Sequence, residues 1–98
     1  MEITYTTEDK SINIKLVYLT KQRLTFYRGD KTYPTVTQCL MYKNGLLYNF
    51  AEVVKHREDK NNTEYAMKLV TKKVLTKMKI KYIRKSIWEV LNVSLKIK

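Results

Sequence analysis

Side chains able to do covalent or metal chemistry are scarce in this chain. Among 98 residues there is one histidine, His56, and one cysteine, Cys39. A zinc site of ordinary composition takes four nitrogen or sulfur ligands, so one chain of this kind cannot assemble it. A Cys39–His56 nucleophile pair would need the two to meet across the fold, and nothing in their spacing arranges that. Cys39 has no partner for an intramolecular disulfide and reads as a small apolar core residue in a reducing compartment. His56, in "KHRED", reads as exposed among charges. Gly29 and Gly45 stand alone, so no glycine-rich phosphate loop exists. A Mg²⁺-dependent nuclease would have to gather carboxylates such as Glu8, Asp9, Asp30, Glu58 and Asp59. Each of those stretches also reads as a polar turn. The expectation is a non-catalytic protein with no metal and no cofactor.

The positive signal is charge. The chain carries 20 Lys and Arg against 9 Asp and Glu, a net +11. Residues 1–49 hold seven bases and four acids, and residues 50–98 hold thirteen bases and five acids. From Tyr65 to Trp88 there are eight bases and no acid. Lys68, Lys72, Lys73, Lys77, Lys79, Lys81, Arg84 and Lys85 make up that run. A field so one-signed attracts polyanions, whether nucleic acid, an acidic protein surface or an anionic membrane. A Lys-rich surface that serves only solubility is the plainer reading. An AT-rich genome, as in many phages and viruses, would produce one.

Aromatic residues, 11% of the chain, are the second signal. Rings interleaved with bases are what a single-stranded nucleic-acid platform uses, stacking on the bases while Lys and Arg follow the phosphates. Tyr27 beside Arg28 and Lys31 is one such cluster. Tyr82 beside Lys81 and Arg84 is another. Tyrosine is also a common half-buried strand residue, so part of this set belongs to the core.

Several elements must position these residues. "SINIKLVYLT" (11–20) alternates with Ile12, Ile14, Leu16 and Tyr18 on one face, the period of a strand. "EITYTT" (2–7) precedes it and "RLTFYR" (23–28) follows, giving an antiparallel three-stranded meander. Residues 28–34 read as a loop closed by Pro34. Asn44-Gly45 between apolar flanks signals a hairpin of strands near 35–43 and 46–54, with a helical pair as the competing reading. Residues 57–62 read as a polar loop. The spacing of Met67, Val70 and Val74 predicts a helix over 63–75. From Thr76 the period changes. Thr76, Met78, Ile80 and Tyr82 alternate with Lys77, Lys79 and Lys81, predicting a strand with three ammonium groups about 7 Å apart on one face. Residues 92–98 read as a final strand.

The expectation is therefore one α+β, β-rich domain over residues 1–98. It has an N-terminal antiparallel meander, one or two helices and C-terminal strands; an all-β barrel of the oligonucleotide-binding kind is the alternative. "MEITYTTEDK" lacks the basic and apolar regions of a signal peptide, and no apolar run approaches a membrane span, which points to the cytoplasm. The functional expectation is a regulatory or accessory nucleic-acid-binding protein, with DNA and RNA both open. Its site residues would be Lys72, Lys73, Lys77, Lys79, Lys81, Arg84, Lys85, Arg28, Lys31, Tyr27 and Tyr82. The alternative is a small interaction module or inhibitor that docks on an acidic protein surface. Terminal strands could also pair two copies into a homodimer.

Overall fold

A computed structural model describes residues 1–55 and 63–96. The chain runs β1 (Glu2–Thr6), β2 (Asn13–Gln22), β3 (Thr25–Tyr27), β4 (Asp30–Thr32), β5 (Thr35–Lys43), β6 (Leu46–Lys55), α1 (Thr63–Leu75) and α2 (Lys81–Lys96). Four strands form an open antiparallel sheet in the order β1-β2-β5-β6, and β3 and β4 pair separately. The α+β expectation holds, and no barrel closes.

Alternation along the strands sends one face of the sheet to the helices. Ile14, Leu16 and Tyr18 of β2 and Cys39 and Met41 of β5 are buried there against Met67, Val70 and Val74 of α1 and Ile83, Ile87 and Leu91 of α2. Helix α1 lies on β5 and β6, and α2 lies on β1. Of the two competing readings at Asn44-Gly45, the hairpin forms and the helical pair does not. Both residues have positive φ, 52° and 84°, as a two-residue turn with the twist of its strands requires. The Asn44 side chain also ties this turn to the β1–β2 loop, accepting from the Asn13 amide (2.8 Å) and donating to the Ser11 carbonyl (3.3 Å).

Three expectations need correction. The neighbour of β2 inside the sheet is β5, and residues 23–28 belong to an arm that projects beyond it. The pairings Gln22–Thr35 and Thr25–Thr32 share one register, so Arg23 falls opposite Pro34 and Leu24 opposite Tyr33. The arm therefore continues the β2–β5 ribbon. Pro34 interrupts the ladder because it has no N–H, while its carbonyl still accepts from the Arg23 amide at 3.2 Å. Residues 28–34 are consequently not one loop. Arg28-Gly29 turns the arm, both with positive φ, and β4 returns along it.

The lysine ladder over 76–83 is the second correction. Thr76 and Lys77 form a turn, 78–80 are irregular, and α2 begins at Lys81. Met78 alone of the expected apolar face is buried, whereas Ile80 and Tyr82 are exposed. The third is the final strand, since residues 92–96 are the end of α2. Burying Ile83, Ile87 and Leu91, four residues apart, requires a helix, and this stripe outweighs the β-branched residues around it.

Candidate nucleic-acid interface

Two ends of the molecule carry the expected site residues, and the ribbon separates them. The β1–β2 loop and the Asn44-Gly45 turn are joined at one end by Asn44. The Arg28-Gly29 turn closes the other. From Asn13 to Tyr27 the strand rise is about 45 Å, against a longest dimension of 53 Å. Tyr27, Arg28 and Lys31 lie at the arm tip. Lys77, Lys79, Lys81 and Tyr82 lie towards the opposite end. The two clusters do not come together.

The second end is built from the α1–α2 connection. Lys72 and Lys73 occupy the last turn of α1, where the helix dipole favours cations. Tyr48 of β6 reaches the connection, its hydroxyl donating to the Lys77 carbonyl (3.4 Å) while Lys77 Nζ donates to the Tyr48 carbonyl (2.9 Å). Two ammonium groups lie against the Tyr48 ring. Lys77 Nζ lies 4.7 Å and Lys43 Nζ 5.4 Å from its centroid, within cation–π range. Tyr48 is the extra residue of a bulge, between the pairs Met41–Asn49 and Tyr42–Leu47. Sequence reasoning missed Lys43 and Tyr48. Their closeness to the Asn-Gly turn was the available signal, because a two-residue turn sets them on adjoining strands.

Helix α2 then starts with Lys81 and has no acid in its first turn. Its positive dipole end therefore meets Lys79, Lys81, Arg84 and Lys85 rather than the carboxylate that would suit it. Lys72, Lys73, Lys77, Lys79, Lys81 and Lys85 are exposed, and Arg84 is half-buried. Among the described residues, ion pairs join Lys15 to Glu2, Arg23 to Glu52 and Lys68 to Glu64. None neutralises the bases from Lys72 to Lys85.

Tyr82 is 59% exposed and lines an open cleft of about 380 Å³ with Tyr5, Thr7, Glu8 and Asp9. The Thr7 hydroxyl, then the Ser11 amide and hydroxyl, donate to the Asp9 carboxylate and hold it at about 2. Asp9 thus organises its own turn, and Tyr82 stands beside acids as well as bases. Glu8 and Asp9 are also a ribbon's length from Asp30. His56, Glu58, Asp59 and the loop expected at 57–62 lie outside the described residues. Among the described residues no three of His, Cys, Asp and Glu cluster to hold a metal ion. Among them, too, no helix is long and apolar enough to cross a membrane. Cys39 is fully buried, and burial pushes its thiol up to about 12, in keeping with a core residue.

Comparison with protein-family models, with curated proteins and with solved structures finds no match to this chain.

Proposed function

We propose that the protein binds nucleic acid without catalysis, through the cationic surface formed by the end of α1, the α1–α2 connection and the first turns of α2. One observation carries this reading: exposed bases from Lys72 to Lys85 gather on one end with no carboxylate in that stretch of chain and none of the ion pairs of the described residues neutralising them, including at a helix start where a cation is unfavourable. Their mutual repulsion would be relieved by a polyanion. On α2, Lys81 and Lys85 share a face about 6 Å apart, a spacing that can follow a phosphate chain. The ring of Tyr48 lies against Lys77 and one further cation, Lys43, at the same end.

Fluorescence anisotropy with labelled single- and double-stranded DNA and RNA, at two salt concentrations, tests this. Binding should weaken steeply with salt, because neutralised phosphates release counterions. Changing Lys79, Lys81 and Lys85 together to Glu should cost at least tenfold in affinity and lower the salt slope by about 3, one for each phosphate that is no longer neutralised. Lys15→Glu with Lys21→Glu, on the opposite face of the sheet, should do much less. Equal losses from both sets would mean that net charge alone is being read. No binding to any oligonucleotide, with binding to polyglutamate, would move the partner to an acidic protein.

A further inference from the structure

The face of the sheet turned away from the helices is apolar at its centre and, among the described residues, uncovered there, whereas Val36 further along the same face is fully buried. Three residues in register form a row across it, Val17 of β2, Leu40 of β5 and Phe50 of β6. Leu19 and Leu47 border that row and are exposed, as is Phe50, at 62%, and Val54 is exposed one step beyond Glu52. Tyr42, between Lys15 and Leu47 across the strands, completes the patch.

Charge on this face is self-contained. Lys15 pairs with Glu2 at 3.2 Å, and Arg23 makes two hydrogen bonds to Glu52, at 2.9 and 2.8 Å. Gln38 adds a third hydrogen bond to Glu52 at 3.0 Å. Among the described residues, Lys21 is the one base of the face left over from these pairs. On a chain of net charge +11 this is the nearly neutral side.

We infer that a second copy of this chain covers this face, forming a back-to-back dimer with the helices outward. Two considerations select that occupant. An anionic partner has only Lys21 to meet here, because both acids and two of the three bases are already paired. Two copies repel through their cationic helices, so the neutral face is where they can approach. Area is the second consideration. Three strands some 30 Å long and the shorter β1, about 4.8 Å apart, span at most roughly 500 Å² per copy, about 1,000 Å² in total, the lower bound of a specific interface. A two-fold axis near Leu40 would set each Val17–Leu40–Phe50 row against its mate. The dimer does not depend on the nucleic-acid reading.

Sedimentation velocity from micromolar to millimolar protein, at moderate salt, tests the inference. The species should shift from 11.7 kDa towards twice that mass as concentration rises. Phe50→Glu and, separately, Leu47→Lys should each raise the dimer dissociation constant at least tenfold while the far-ultraviolet circular dichroism stays unchanged. The Lys79, Lys81 and Lys85 variant should still dimerise. A monomer across the whole range, or a dimer indifferent to both sheet-face variants, overturns the proposal. So does a patch filled only by a different protein while the free chain stays monomeric.

Discussion

The Tyr18 hydroxyl is buried in the core, and its proton has a defined destination. Thr71 Oγ1 donates to the Met67 carbonyl at 2.7 Å, so the 2.5 Å hydrogen bond between Tyr18 and Thr71 must have the phenol as donor. Burial pushes the Tyr18 phenol above its ordinary range, with Cys39 adding to the effect. Thr71→Val should therefore leave a buried donor unsatisfied and cost about 1–3 kcal/mol, whereas Tyr18→Phe should cost about 1 kcal/mol. Adding Tyr18→Phe to Thr71→Val should recover stability, because the orphaned hydroxyl is then gone. Urea unfolding of the four proteins reads this out, and equal losses from Tyr18→Phe in both backgrounds would show the hydroxyls to be uncoupled. Glu52 makes a second, pH-dependent test. The Arg23 guanidinium first, then the Gln38 amide, hold its carboxyl at about 2, below its ordinary 4.5. A depressed folded-state value stabilises the fold above about pH 4.5 and ceases to do so as pH falls towards 2. Glu52→Gln should flatten that part of the stability profile, measured by denaturant midpoints from pH 6 to 2. The slope that remains in the variant includes the share of Asp9.

At the scale of elements, legibility in the sequence follows the strength of local signals. The Asn44-Gly45 turn prefers positive φ at both positions, so β5 and β6 are readable. The Met67, Val70 and Val74 stripe likewise marks α1. Helix α2 is hidden because seven residues, Thr76 to Tyr82, alternate by chance, and because Asn92, Val93 and Ser94 are weak helix formers. The longer Ile83, Ile87 and Leu91 stripe is the better guide, since it spans more than two turns. Pro34 misleads in the opposite direction. It reads as the end of a loop, but it removes a single donor, and the ribbon passes it in register. The basic residues of the candidate interface can be named from sequence. Their geometry cannot, because a strand ladder and a helix start arrange the same lysines differently. The Asn-Gly turn sets Lys43 and Tyr48 on adjoining strands, but the bulge at Tyr48 is announced by no short pattern.

For the molecule as a whole, sheet and helices divide the labour of charge. The helical side carries the bases from Lys68 to Lys85, while the opposite side neutralises most of its own. The arm adds length without adding to the core. None of Leu24, Phe26 and Tyr33 is buried, although alternation would place them on the core side of the ribbon. The register has a practical consequence. Arg23–Pro34, Thr25–Thr32 and Tyr27–Asp30 occupy equivalent positions in the ladder, so removing Phe26, Tyr27, Asp30 and Lys31 leaves Thr25 and Thr32 to close the same Arg28-Gly29 turn. No side chain of the core changes face. The shortened chain should melt within about 1 kcal/mol of the parent and have a smaller radius of gyration than 15.0 Å by small-angle scattering. A loss of cooperative melting would show instead that the tip supports the sheet. Deletions or additions made in matched pairs at this point turn the arm into an adjustable splice site. There the chain can lose, gain or display foreign residues while the rest of the molecule is left as it was.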